Sequence, residues 1–470
     1  MRDPVSNDLA GARRPHRLLA ILVAAVLVLA AAAGYVVESG LGPVPVRPSP
    51  AAPSPSATAP FPGASARSPA GSAGPATRAP PSAAAPASPS LEAQIAAVEA
   101  QVPPLRDLQP TRAVATRIID PAALHSLLVD RLDAVPAATI TTQQDLLVRL
   151  GFAKPGLDLR QLSLDALSAG AIGMYETSSR SMTVVDRGLG LVARITVAHE
   201  YTHALQDQHF GLQRLGAEDS LPTDRVMAVR ALLEGDASLV TQRWMQGNVT
   251  TSGLAELGQL LASAGQPVPA GAPAIFARQL LFPYLEGASF ATALYQRGGW
   301  RAVDAAYTRP PVSTAEILHP DRYLAGWRPT AVRAPALAPA ASAGGWREAI
   351  RDTVGELGLQ VWLSSVLVPA TDRATSGRGR TDGDGAALAI DPAALASHWT
   401  GDQVVSWDGS AGSWAIDWVT AWDSEAAAAS FAAAAGAGPN RVHLVTLDGT
   451  RVTLSLASDF GALRVASSAR

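Results

Sequence analysis

The sequence predicts an α+β protein: a mostly helical domain with a small sheet, followed by a smaller α+β domain at the C-terminus. Two short strand-like runs at 174–176 and 182–185 stand ahead of long stretches of helical spacing instead of alternating with them. A Pro/Ala/Gly-rich stretch at 335–345 then interrupts the pattern and marks a domain boundary. Beyond it, strand-like runs at 403–407, 413–422, 441–447 and 451–455 surround one Ala-rich helix at about 424–434.

Taken in order, the chain opens with a short tail, 1–17, carrying Arg13, Arg14 and Arg17. The uncharged apolar run 18–37 follows, and twenty helical residues span the hydrocarbon core of a membrane, roughly 30 Å. Arginines before it and almost no basic residue directly after it predict a cytoplasmic N-terminus and an extracytoplasmic remainder. The small residues at 30–33 also suit signal-peptide cleavage, and that reading exports the rest of the chain as well. Residues 38–90 collapse to Pro, Ala, Ser and Gly, a composition that buries too little apolar surface to order itself and reads as an extended linker.

The folded part, 91–335, begins with helical spacing at 91–98, which Pro103 and Pro104 are expected to end. Short mixed segments run to about 168, then come the two strands. Helical patterns follow at about 191–208, 225–246 and 290–307. The C-terminal domain, 336–470, is expected to open with a helix at about 346–367, followed by a polar loop at 371–385 and the strands named above. Trp414, Trp418 and Trp422 share one strand face at even spacing, either as a ligand-stacking stripe or as a face buried by the Ala-rich helix.

Composition narrows the chemistry. A net charge of −3 gives no polybasic footprint, which argues against nucleic acid as a partner. With no cysteine, disulfides, thiolate metal sites and cysteine nucleophiles are excluded, so a metal must be held by His, Asp or Glu. His199, His203 and His209 fall within eleven residues of one another.

His199-Glu200-Tyr201-Thr202-His203 places two histidines four apart on a predicted helix, one turn apart on one face. Neutral imidazole suits Zn²⁺, and a catalytic zinc takes three protein ligands with one position open. Glu200 is the expected general base. His209 stands at a spacing that suits a third ligand, but that arrangement needs a glycine three residues after His203 to turn the chain, and Gln206 stands there. Glu234, in Ala231-Leu232-Leu233-Glu234-Gly235-Asp236-Ala237, is the better candidate, because a carboxylate among apolar neighbours needs a partner. Gly235 and Ala237 are expected to let its helix approach the histidine helix. Asp236 is the alternative carboxylate, or a residue that orients a ligand histidine.

This pair of segments resembles the gluzincin metallopeptidases, with a longer gap between His203 and Glu234. The wider stretch is similar to a family of exported, largely uncharacterised prokaryotic proteins with a zincin-like domain. Gly173-Met174-Tyr175-Glu176, residues 199–210, Glu234-Gly235-Asp236-Ala237 and Phe282-Pro283-Tyr284-Leu285-Glu286-Gly287 carry the likeness, together with residues 310–314 and 317–320. The resemblance implies a zincin-like fold for 91–335, zinc on His199, His203 and Glu234, and a peptide or protein substrate. It also implies that a strand ahead of the metal helix pairs with an extended peptide, although a purely structural hairpin fits the sequence equally. Tyr284 and His319 are candidates for donors to a tetrahedral oxyanion; His319 also reads as a helix C-terminal residue before Pro320. The expected function is a membrane-anchored zinc peptidase, with a non-catalytic zincin-fold binding or scaffold protein of the cell envelope as the alternative.

Overall fold

The computed structural model describes residues 90–170, 173–186, 190–215, 221–253, 255, 268–367, 390–437 and 442–468. The expected tail, membrane span and linker up to residue 89, and the polar loop 371–385, lie outside the described residues. Among the described residues, no helix is long and apolar enough to cross a membrane.

Ser90 caps helix α1 (Leu91–Glu99), its side chain accepting from the Ala93 amide. The expected stop at Pro103-Pro104 is corrected: these prolines lie in the first turn of a further helix, α2 (Val102–Arg106). A missing N–H costs nothing in a first turn, so proline opens this helix instead of closing the one before. The stretch read as mixed segments holds a strand, β1 (Ala115–Ile119), and helices α3 (Pro121–Asp133), α4 (Ala137–Arg149) and α5 (Leu159–Gly170). The two expected strands are present as β2 (Gly173–Glu176) and β3 (Ser181–Val185), an antiparallel hairpin. β1 joins β3 in parallel, so the sheet order is β1-β3-β2 and β2 lies at an edge.

Helix α6 (Leu191–Phe210) carries both histidines of the motif and ends at Gly211, whose φ of 64° closes the helix in the left-handed region. Helix α7 (Thr223–Asn248) follows, buried over most of its circumference between α6 and a third long helix. That third run, α8 (Ala274–Thr308), starts well before the expected 290 and contains Pro283. Gly298 and Gly299 leave helical geometry and break it into two segments. Two short helices, α9 (Thr314–Leu318) and α10 (Pro320–Leu324), turn the chain toward the second sheet.

After a short helix α11 (Pro339–Ala343), the expected helix at 346–367 is corrected at its start: β4 (Arg347–Asp352) precedes α12 (Gly355–Val366). Helix α13 (Pro392–Ala396) leads into β5 (Trp399–Asp408) and β6 (Trp414–Trp422). The Ala-rich helix α14 (Glu425–Gly436), β7 (His443–Asp448), β8 (Arg451–Ala457) and a terminal helix α15 (Phe460–Ser468) complete the chain. The second sheet has the order β4-β5-β6-β8-β7, every pair antiparallel. Trp418 and Trp422 are buried against Phe431 of α14, at ring distances of 5.8 and 4.9 Å, so this stripe is core. Arg149 covers Trp414 from α4 at 5.4 Å.

One apolar cluster crosses from the first part of the chain to the second. Leu146 of α4, Leu150 at its C-terminal cap and Ala315 of α9 pack with Trp362, Trp399, Trp418 and Phe431. The Trp362 indole N–H donates to the Leu150 carbonyl at 2.9 Å.

Candidate metal centre

α6 sets His199 and His203 one turn apart on the face that meets α7. Their rings lie edge to face, with centroids 4.7 Å apart. The Nε2 atoms are 3.0 Å apart, and Glu234 Oε2 of α7 lies 3.1 Å from that of His199 and 3.3 Å from that of His203. Among the described residues, His199, His203 and Glu234 thus form a buried group that can hold a metal ion.

The donor set fits such an ion for two reasons. Three ligands of a tetrahedral zinc, each at about 2.0–2.1 Å, stand about 3.3 Å from one another, and this triangle is close to that size. The hydrogen bonds at the far side of each ring also turn both Nε2 lone pairs inward. Thr241 Oγ1 gives its hydrogen to the Ala237 carbonyl at 2.8 Å, so at 3.2 Å it accepts from His199 Nδ1. The Gln206 amide nitrogen donates to the Leu233 carbonyl and to Asp236 Oδ2, both at 3.0 Å, so its oxygen accepts from His203 Nδ1 at 2.9 Å. Neutral rings then present acceptors to one point, an arrangement that a cation satisfies.

Without a cation, protons take its role. Burial draws the His199 imidazolium down to about 4. His203 is also buried, but the Glu234 carboxylate beside it outweighs that and lifts it to about 9. Burial acts against Glu234 as well, yet the charge of His203 holds it well below the usual carboxylate range.

Glu200 is buried next to the first ligand. One of its oxygens accepts from the Tyr175 backbone N–H at 2.7 Å, and the other is buried with no hydrogen-bond partner. Burial pushes its carboxyl up to about 7 against the opposing pull of the His203 charge, with the Glu234 charge adding to the rise. That is where a group that must take and return a proton near neutrality works best. Tyr175 lies on the edge strand β2, and its hydroxyl donates to Asp207 of α6 at 3.0 Å, so the strand is tied to the metal helix by backbone and side chain.

The remaining expected residues fall in different places. His209 occupies the last turn of α6, and its ring bonds the Gln109 carbonyl at 2.7 Å, away from the histidine pair. Asp236 is fully buried but touches neither histidine; it reaches His203 only through Gln206. Tyr284 is a core aromatic whose ring centroid is 6.4 Å from that of His199. His319 ends α9, as its position before Pro320 suggests, and bonds Glu356 of α12 at 2.8 Å, so it does not join the cluster. Gly235 faces α8 and not the histidine helix: a Cβ there would stand 2.0 Å from the Gly287 carbonyl oxygen.

Sequence reasoning missed Thr241, Gln206, the Tyr175 amide and Arg106, which pairs with Asp236. Two of these carry a periodic signal, because Gln206 lies three residues after His203 and Thr241 seven after Glu234, each on the same helix face. A backbone amide and an arginine far along the chain carry none.

Among known proteins, no curated protein and no solved structure matches the chain. Residues 345–459, which begin with β4 and lie outside the metal centre, match a family described as a domain of unknown function (DUF8575).

Proposed function

We propose that the chain is a zinc peptidase with a zincin-like domain, held outside the cytoplasmic membrane by the apolar segment at 18–37. The observation that carries this reading is the buried His199, His203 and Glu234 triangle with an unsatisfied Glu200 oxygen beside it. A site that only stabilised the fold would gain nothing from a second buried carboxylate left half unpaired.

Zinc bound by His199, His203 and Glu234 would supply Lewis acidity, which polarises a carbonyl and acidifies water. Glu200 takes the proton of the attacking water and later returns it to the leaving amine. Tyr175 holds one Glu200 oxygen through its backbone amide, which leaves the other free for this work. Among the described residues β2 is a sheet edge; its Tyr175 N–H is held by Glu200, so a peptide laid along it would pair through the remaining outward backbone groups, and this edge supports a peptide substrate.

The test is zinc content and cleavage of a broad peptide library by the whole chain. Glu200→Gln should keep the metal and lose at least about 100-fold in rate. Glu234→Ala should lose zinc while His209→Ala retains it. A wild-type protein that holds zinc and cleaves nothing would leave the scaffold reading in its place.

A further inference from the structure

A histidine presents its Nε2 lone pair to a metal only when its proton sits on Nδ1, and in a buried ring the partner of Nδ1 decides this. For His203 that partner is the oxygen of Gln206. An amide can face a ring with either end, and here both hydrogens of its nitrogen are taken by the Leu233 carbonyl and Asp236 Oδ2. Asp236 is fully buried and is fixed in turn. The Tyr307 hydroxyl donates to its Oδ2 at 2.6 Å, and Arg106 Nε lies 2.7 Å from its Oδ1 as an ion pair, off the line of a hydrogen bond. Arg106 is also fully buried; a second nitrogen meets Asp304 at 2.6 Å, and its guanidinium lies over Trp300 at 4.4 Å.

We propose that Gln206 and Asp236 form a positioning relay, anchored by Arg106, that holds His203 in the tautomer able to bind metal. The charge of Asp236 is balanced by Arg106, and a neutral amide stands between it and the ring. The relay therefore orients His203 without adding a further anion to the three-ligand site. Helix α2 thereby becomes part of the metal centre, although it lies far ahead of the motif in sequence.

The inference rests on the cluster holding a metal, and the test separates the two claims. Zinc dissociation constants are measured by chelator competition on folded protein, with apoprotein melting as the control for fold. Gln206→Met should weaken binding by about 10–100-fold; it also leaves the Leu233 carbonyl and Asp236 Oδ2 short of a donor, so apoprotein melting should fall and affinities are compared only at temperatures where the apoprotein is folded. Asp236→Asn should act through the same route. Arg106 keeps the oxygen of the new amide, so its nitrogen faces Gln206, which must flip and offer N–H to His203. The double variant should therefore be no weaker than the worse single variant. Fully additive losses, or a folded Gln206→Met with wild-type affinity, would overturn the relay. If the variants do not fold, nitrogen NMR of the zinc-loaded wild type decides, since a proton on His203 Nε2 is incompatible with the relay. Failure of the wild type to bind zinc at all refutes the metal reading itself.

Discussion

At the scale of single residues, His203 gives the metal centre a built-in competitor. With Glu234 beside it, the ring keeps its proton up to about 9 in the metal-free protein, despite burial. His199 at about 4 and Glu234 far below neutrality are already deprotonated at pH 7. Metal must therefore displace the His203 proton, and affinity should rise by at least about tenfold per pH unit up to about pH 9, then level off. Calorimetry in buffers of different ionisation enthalpy should read at least about one proton released at pH 7, with Glu200 adding to it; a value near zero refutes the assignment. That His199, His203 and Glu234 come together was legible because each is a residue type whose spacing on a helix has a chemical meaning. Gln206 was read only as the absence of a glycine, although its place one turn past His203 already put it on the ligand face.

At the scale of elements, Glu234 is positioned by what lies behind it. α7 and α8 cross with their backbones touching, since a Cβ at Gly235 would meet the Gly287 carbonyl oxygen at 2.0 Å and one at Gly287 the Ala231 carbonyl oxygen at 2.4 Å. Both neighbours are backbone, which cannot swing aside. Gly235→Ala should then cost about 3 kcal/mol in chemical denaturation and also weaken metal binding, because Glu234 moves with the helix. Gly287→Ala acts on the same contact, so the double variant should cost much less than the sum. Full additivity would mean that the two glycines do not oppose each other. α6, α7 and the hairpin were legible from period alone. α8 was legible only in part: the expected helix at 290–307 stops short of Pro283 and runs through Gly298 and Gly299, whereas in the fold the helix passes Pro283, held by packing along α7, and leaves helical geometry at the two glycines. α3 carried a readable start at Asp120-Pro121, with Leu124, Leu128 and Leu132 four apart, and the sequence reading passed over it. β4 carries no strand signal, because Arg347-Glu348-Ala349-Ile350-Arg351-Asp352 is mostly charged and lacks an apolar alternation, and the helix beside it begins only at Gly355.

At the scale of the whole molecule, the second sheet and the helices of the candidate metal centre are mechanically joined. The start of α7 has no cap from its own Pro222. Asp352 of β4 supplies it, accepting from the Thr223 amide at 2.7 Å and the Thr223 hydroxyl at 2.6 Å. Asp224 accepts from the Thr314 amide at 2.9 Å, and the Thr314 hydroxyl accepts from the Leu357 amide at 3.2 Å, so α7, α9 and α12 share one buried network. Leu146 and Leu150 reach from α4 into the core beneath β5 and β6, where much of the tryptophan lies. None of these pairings has a local sequence signal, since the partners are separated by 43 to 212 residues, and most of them lie on opposite sides of a composition break that reads as a boundary. The two parts should therefore unfold as one cooperative block. Tryptophan fluorescence reports chiefly on the second sheet and metal release on α6 and α7, and in the wild type the two denaturation curves should coincide. Leu150→Ala opens a cavity where Leu150 packs, and should destabilise by about 2–5 kcal/mol, shifting both curves together. Two separate transitions, with only the fluorescence curve moved, would show that the sheet is an independent domain resting on the metal centre and not one that braces it.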